Sequence, residues 1–296
     1  PLEVFNYHSQ TKLFQQIFHL IKVTVPYKFM YRVALELNFV NNIFPSGGVS
    51  GFSYLSLRLK SEGISTAQST LANLIKTIML FVSFQILSIL GLLMLAVDGS
   101  ASGLLILFAG SLVTLTLVGT VLFVYIIGSK KRINDFLLFV TKIINRVIQV
   151  FSRHPEAINL ARARKAFDEL HENYLVLRRN TRRFNKPFIS ALMANLTEIL
   201  VIYCVYVAFG QWVNPGAVII AYAVANFAGF ISVLPGGVGI YEALMTAVLA
   251  AGGVPASLSL PVTVMYRILN MGIQLLPGYV LYHKAINRDE HSELRG

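Results

Sequence analysis

Four stretches without a charged residue constrain this chain more than any other feature of its sequence. They run over Thr77–Val97, Gly99–Ser129, Ile199–Tyr241 and Ala243–Tyr266. Each is at or above the roughly 18 residues that indicate a membrane-spanning helix. Charged residues make up only 13% of the chain and apolar residues 55%, whereas soluble domains average about 25% charged residues. These features predict an all-α polytopic membrane protein and exclude an ordinary soluble domain.

The longest of these stretches contains a break in its helical pattern. Pro235, Gly236, Gly237 and Gly239 fall within five residues of one another. Such a run cannot continue a regular helix. In hydrocarbon, a broken backbone is tolerated only where protein buries it or a watered cavity solvates it. We therefore expect a functional cavity at this break.

A similar break lies 190 residues earlier, at Pro45–Gly48. A shift of that length places Pro45 on Pro235 and Gly47 on Gly237. Three predicted spans separate the two breaks, and an odd number inverts the second unit. The pattern predicts a helical bundle with two re-entrant, broken-helix hairpins in an inverted repeat, the first entered from the cytoplasm and the second from outside. Transporters build alternating-access sites in this way. The alternative is that each break only kinks packed helices.

The prediction divides one membrane domain, residues 1–296, into five segments. They are an interfacial segment with a short apolar stripe (1–26), a first repeat half (27–129), basic amphipathic cytoplasmic helices (130–186), a second repeat half (187–284) and a cytoplasmic tail (285–296). The helical patterns within the halves cover Tyr27–Phe44, Val49–Lys60, Ser65–Val97, Ser102–Ser129, Pro187–Phe209, Gly216–Leu234, Tyr241–Ala251 and Ala256–Tyr282. Because the chain begins with Pro1 rather than Met, further spans are expected upstream.

The basic segment sets the expected orientation. The chain carries a net charge of +11, and most of the excess lies between Lys130 and Lys186. The positive-inside rule predicts that this segment and the C-terminus are cytoplasmic. Attraction to anionic lipid headgroups explains the excess without a nucleic-acid partner. The expected headgroup contacts are Arg178, Arg179, Arg182 and Arg183.

The same segment shows helical periodicity twice, over 133–151 and 160–177. The second run has a heptad-like spacing of apolar residues. A cytoplasmic helical hairpin that packs on the membrane domain is the main interpretation. A dimerising coiled coil, and hence a homodimer, is the alternative.

Five charged residues lie inside apolar stretches: Glu36, Lys76, Glu198, Glu242 and Arg267. A charge at mid-bilayer costs about 2.5–3.5 kcal/mol on insertion scales, so such residues usually face a cavity and form pairs. We predict that Glu198 or Glu242 pairs with Arg267. Lys76 is expected to extend its side chain toward the cytoplasmic surface.

Exposed amides at the helix N-termini after both breaks would present positive ends suited to a phosphate. The cavity is thus expected to hold a lipid headgroup. The proposed substrate-binding residues are Pro45, Gly47, Gly48, Arg58, Glu198, Pro235, Gly236, Gly237, Gly239, Tyr241, Glu242 and Arg267. Aromatic packing is the alternative role for Tyr241. No catalytic residue, metal or cofactor is expected, because Cys204 is the single cysteine and the six histidines are scattered.

The stretches Asn41–Gly51 and Leu234–Glu242, followed by Arg267, resemble the transmembrane-region family of lysylphosphatidylglycerol synthetases, which are flippase-like membrane domains. The resemblance implies a protein of a bacterial or archaeal inner membrane that moves a phospholipid or lipid-linked headgroup between leaflets. Members often carry Gly-Glu and then Arg after the first Pro-Gly motif. Here Phe52 rather than Glu comes directly after Gly51, and Arg58 is the only candidate for the arginine.

The leading interpretation is a flippase-like protein that translocates or binds an anionic or aminoacylated, lysylphosphatidylglycerol-type phospholipid in the cytoplasmic membrane of a prokaryote. With no synthase domain after Tyr282, the chain is not expected to make aminoacyl lipid itself. One alternative is a membrane-embedded lipid-modifying enzyme that uses Glu198 or Glu242 as acid or base. Another is a non-catalytic partner of a separate lipid synthase or glycosyltransferase, held through residues 133–177.

Overall fold

A computed structural model describes residues 1–44, 49–99, 102–136, 138–139, 181–231 and 234–293. Regular secondary structure in these ranges is helical throughout, which confirms the predicted all-α class. Short 3-10 turns lie at Thr181–Phe184 and Pro235–Gly237. The helices are α1 (Leu2–Leu20), α2 (Tyr27–Ile43), α3 (Val49–Lys60), α4 (Thr66–Val97), α5 (Gly103–Ile127), α6 (Asn185–Ala208), α7 (Pro215–Ile231), α8 (Ile240–Ala251) and α9 (Ala256–Glu293).

Three helices in the described ranges, α4, α5 and α6, are long and apolar enough to cross a membrane. Local sequence sets where two of them begin. The Ser65 side chain accepts a hydrogen bond from Gln68 N at 3.2 Å and starts α4, and Ser102 does the same for Leu105 N at 3.3 Å and starts α5. Such caps satisfy amides that have no partner inside the helix. The predicted multi-pass membrane protein is confirmed.

Helices α7 and α8 form a hairpin whose free ends both meet the α4–α5 turn. Asn214, just before α7, donates to the Asp98 carboxylate. At the end of α8, the Ala251 carbonyl accepts from Ser102 Oγ at 2.8 Å. The chain therefore enters and leaves this hairpin at one end of the bundle. Re-entry into a membrane from that end stays a prediction.

The predicted break between the two arms is confirmed. Gly236, Gly237 and Gly239 have φ values of 56°, 65° and 88°. These lie in the left-handed region, which residues other than glycine rarely adopt. The first break, Pro45–Gly48, lies outside the described residues. Its flank at Asn42 reaches the second break, because a Cβ built on Gly236 would lie 3.1 Å from Asn42 Oδ1. This contact places the end of α2 beside the second break. The inverted repeat itself stays a prediction.

Helix α1 differs from the short interfacial stripe expected over 1–26. It packs along α6, and its polar residues are buried as well as its apolar ones. Asn6 Nδ2 donates to Ala194 O at 2.8 Å and to Thr197 Oγ1 at 3.1 Å, while Phe14 and Phe18 are fully buried. The predicted stripe covered too little of this helix. The prediction counted apolar positions only and missed the polar side chains that form hydrogen bonds across the interface between α1 and α6.

Helix α9 is 38 residues long and contains Pro261 and Pro277. It therefore continues past the end expected at Tyr282 and through much of the expected tail. At its centre it approaches α2 closely. A Cβ on Gly278 would lie 2.7 Å from Phe39 Cβ and 2.8 Å from Leu35 O. The amphipathic helices and the coiled coil predicted within the basic segment fall mostly on residues 140–180, outside the described ranges.

Candidate functional site

A polar cavity of about 360 Å³ lies where both halves of the chain meet. Helices α1, α2, α3, α4, α6, α7, α8 and α9 all contribute to its wall. Three charged residues line it: Lys76, Glu198 and Arg267. The amide-bearing residues at the wall are Asn6, Gln10, Asn38, Asn41, Asn42, Asn73, Asn195, Asn226, Asn270 and Gln274. Amides both donate and accept hydrogen bonds, so the wall suits a polar ligand inside an otherwise apolar bundle.

Arg267 joins α9 to the second break. Its guanidinium nitrogen Nη2 donates to the Gly236 carbonyl at 2.7 Å. Its Nε lies 3.1 Å from Glu242 Oε1, an ion pair by distance that lacks the angle of a hydrogen bond. The guanidinium carbon lies 4.7 Å from the centroid of the Tyr241 ring, within the range of a cation–π contact. The predicted pairing of Arg267 is thus confirmed with Glu242 rather than Glu198.

Glu242 also caps α8. Its Oε2 accepts a hydrogen bond from Gly239 N at 2.6 Å. An acidic side chain at this position satisfies a free amide and complements the helix dipole. The Gly239 amide is therefore bound by the protein itself and is not one of the exposed amides expected to face a ligand.

Glu198 is held by neutral donors on α9. Tyr266 Oη and Asn270 Nδ2 each donate to its Oε2 at 2.8 Å. The residue is buried and lines the cavity. No cationic partner of Glu198 occurs within the described residues. A carboxylate in this setting can accept a hydrogen bond from an ammonium group of a ligand.

A second ion pair joins α2 to α3. Arg58 Nε donates to Glu36 Oε2 at 3.0 Å, and Tyr54 Oη donates to the same oxygen at 2.9 Å. Glu36 is only 1% exposed. Although the residue directly after Gly51 is Phe52 rather than Glu, Glu36 supplies a carboxylate to Arg58 from the preceding helix. Sequence reasoning noted Glu36 as a buried charge and did not find this partner.

The structure divides the predicted substrate-binding residues into groups. Those at the cavity wall are Glu198, Gly236, Tyr241 and Arg267. Those that contact or flank this group without lining the wall are Gly237, Gly239 and Glu242, and Arg58 forms its ion pair apart from the wall. Pro235 begins the 3-10 turn. Pro45, Gly47, Gly48, Arg178 and Arg179 lie outside the described residues, as does the side chain of Arg182, and Arg183 is exposed.

Several wall residues were missed, and Lys76 was misplaced. Lys76 was expected to extend toward the membrane surface, but it lines the cavity, with Nζ 4.7 Å from the centroid of the Phe14 ring. The neutral amides Asn73, Asn195 and Asn270 received no attention because only charges were sought. Their signal was present in the sequence, since each is an asparagine inside a strongly apolar helix.

Spanning helices around a shared polar cavity define a multi-pass membrane protein with an internal polar chamber. Residues 14–278 match the family described as the lysylphosphatidylglycerol synthase TM region, and the chain belongs to that family.

Two relatives are both described as UPF0104 membrane proteins. A UPF0104 membrane protein of Methanothermobacter thermautotrophicus is 39% identical over 83 residues, which are 28% of this chain and 25% of that protein. A UPF0104 membrane protein of Pyrococcus horikoshii is 25% identical over 252 residues, which are 83% of this chain and 73% of that protein. No solved structure matches the chain.

Proposed function

We propose that this protein binds an anionic or aminoacylated phospholipid of the lysylphosphatidylglycerol type and translocates its headgroup across the membrane. The observation that carries the proposal is the cavity of about 360 Å³, walled by amides and charges from both halves of the chain. This volume falls within the range of small-molecule sites, about 300–1,000 Å³. It accommodates a headgroup and leaves the acyl chains outside.

The outer surface of the bundle suits those acyl chains. Leu104, Leu107 and Val121 on α5 are well exposed, as is expected of side chains that face lipid. We propose that the headgroup is held in the cavity while the acyl chains lie along this apolar surface. In this arrangement the lipid moves across the membrane and its acyl chains never enter the polar cavity. The family description also names the membrane region of a phospholipid synthase.

Glu198 is the residue we assign to the amine of an aminoacylated headgroup. Tyr266 and Asn270 orient its Oε2, and the residue faces the cavity. These partners fix the carboxylate as an acceptor rather than activating a nucleophile. We therefore propose binding and translocation, not chemical modification of the lipid, as the activity.

We place the protein in the cytoplasmic membrane of a prokaryote, with the basic segment and the C-terminus in the cytoplasm. The two archaeal relatives agree with a prokaryotic source. A separate lipid synthase or glycosyltransferase is the proposed supplier of the substrate.

The test is a leaflet-resolved assay in proteoliposomes that contain fluorescent lysylphosphatidylglycerol. The wild-type protein is expected to move the lipid faster than empty vesicles do. Glu198→Gln is nearly isosteric and removes the charge, so we expect at least an about tenfold slower rate for the aminoacylated lipid, the loss typical of one charge-assisted contact. Exposed Glu62 gives the matched control, Glu62→Gln, which is expected to keep the wild-type rate.

Two outcomes decide against the proposal. If the wild-type protein moves the lipid no faster than empty vesicles do, the proposal of translocation is wrong. A new lipid product on thin-layer chromatography that disappears in Glu198→Gln supports a lipid-modifying enzyme instead. The unfolding temperature of each variant in detergent separates a lost function from a lost fold.

A further inference from the structure

The cations near the cavity differ in whether a carboxylate neutralises them. Arg267 pairs with Glu242, and Arg58 with Glu36. Lys76 also lines the cavity, yet it has no carboxylate partner in the part of the chain that the structure describes. Its ammonium instead contacts the ring of Phe14, whose centroid lies 4.7 Å from Nζ. A ring face attracts a cation but leaves its charge uncompensated.

The remaining carboxylate at the wall, Glu198, is too far along the bundle to compensate Lys76. Asn195 Nδ2 donates to Leu80 O at 3.1 Å, which fixes the register of α6 against α4. The two helices run in the same direction, since both lead to the Asp98–Asn214 contact. At 1.5 Å per residue, Lys76 and Glu198 are offset by roughly 10 Å along the helix axes.

Asn73 adds an independent polar group beside Lys76. It lies one helical turn earlier on α4, so both side chains share one face of the helix. Asn73 is only 8% exposed and lines the same cavity. Its side-chain amide forms no hydrogen bond within the described ranges. A half-buried ammonium and a buried asparagine thus line the cavity at one place, and neither side chain has a hydrogen-bond partner in the described ranges.

We propose that Lys76 and Asn73 form a phosphate subsite of the cavity. The Lys76 ammonium donates hydrogen bonds and carries a positive charge, and the Asn73 amide can donate through its Nδ2. A phosphate offers acceptor oxygens and negative charge together, so it suits both groups. The Phe14 ring lies 4.7 Å from Nζ and helps to keep the ammonium at the cavity wall. The lipid as the source of the phosphate rests on the function proposed above. The subsite itself rests on the two unpartnered side chains.

The experiment counts lipids bound to the detergent-purified protein by native mass spectrometry. Phosphatidate and diacylglycerol with identical acyl chains serve as probes, so that the two ligands differ by the phosphate alone. The wild-type protein is expected to retain phosphatidate over diacylglycerol. Lys76→Met is expected to weaken phosphatidate binding about 10- to 100-fold, as for one charge-assisted hydrogen bond, and Lys76→Arg to keep most of it. Lys60→Met, at an exposed lysine on α3, controls for lipid held at the protein surface.

Thermal unfolding separates a binding role of Lys76 from a merely structural one, since loss of a structural lysine would lower the unfolding temperature. Because Lys76→Met removes a half-buried charge that has no carboxylate partner in the described ranges, the variant is expected to melt at or above the wild-type temperature. A parallel arm adds inorganic phosphate at constant ionic strength. Stabilisation that depends on Lys76 would assign the same subsite to free phosphate.

The proposal is overturned if Lys76→Met binds phosphatidate as the wild type does, or if the wild type does not distinguish the two probes. A protein that keeps Lys76-dependent phosphatidate binding but moves no lipid in proteoliposomes would retain the subsite and lose the transport proposal. The two claims therefore fail separately.

Discussion

Glu242 uses its two carboxylate oxygens for different purposes. Oε2 accepts from Gly239 N at 2.6 Å, and Oε1 faces Arg267 Nε at 3.1 Å. The first contact fixes where α8 starts after the break, and the second ties that start to α9. One residue thus couples the local backbone of the break to a distant helix that lines the cavity.

Two substitutions at Glu242 separate these contacts. Glu242→Gln keeps an acceptor for Gly239 N but leaves Arg267 without its counter-charge, so we expect a loss of about 1–3 kcal/mol in the free energy of unfolding. Glu242→Ala also removes the cap, which adds about 0.5–2 kcal/mol to that loss. Equilibrium unfolding in mixed micelles with sodium dodecyl sulfate measures both, with Glu62→Gln as the control. If both variants have the same free energy of unfolding as the wild type, both roles of Glu242 are contradicted.

Sequence reasoning succeeded at residues whose cost is visible without a structure. A proline and three glycines in an apolar stretch identified the break, and the cost of a buried charge identified Arg267 with an acidic partner. It could not choose between Glu198 and Glu242, because that choice depends on how α8 and α9 are rotated. It missed Asn73 because only charged residues were sought, although an asparagine inside an apolar helix is itself a signal.

At the level of helices, the close approach of α9 to α2 depends on Gly278. The backbone of Leu35 and the Cβ of Phe39 occupy the space that any side chain would need. This contact connects α2 to the last helix, and both helices contribute residues to the cavity wall.

Gly278→Ala is expected to destabilise the protein by about 1–3 kcal/mol through overpacking. Gly272 provides a control on the same helix, because a Cβ there meets no atom within 4 Å. Gly272→Ala is expected to be neutral or to stabilise the helix by up to about 1 kcal/mol. Unfolding curves of the two variants give the comparison, and equal destabilisation of both would argue against close packing at Gly278.

Helix positions along the chain were predicted well, but their partners were not. The starts at Ser65 and Ser102 follow from local capping chemistry, and the long apolar patterns gave α4, α5 and α6. The burial of α1 could not be predicted, since it depends on Asn6 meeting Ala194, far away in the sequence. Pattern reasoning also ended α9 at Tyr282, because apolar character fades there while the helix continues.

At the level of the whole molecule, the proposed orientation places Trp212 outside the cell and Arg183 in the cytoplasm. Both residues are exposed. In a Cys204→Ser background, Trp212→Cys is expected to react with a membrane-impermeant maleimide in intact cells. Arg183→Cys is expected to react only after permeabilisation. The reverse labelling pattern would invert the orientation and with it the direction from which each hairpin is entered.

The hydrogen bond from Asn6 to Ala194 spans 188 residues of sequence. Because ribosomes add about 5–20 residues each second, roughly 10–40 s separate the synthesis of the two partners. During that interval the polar face of α1, with Asn6 and Glu3, has no α6 to cover it. The cavity consequently forms late in biogenesis, after both halves are in place.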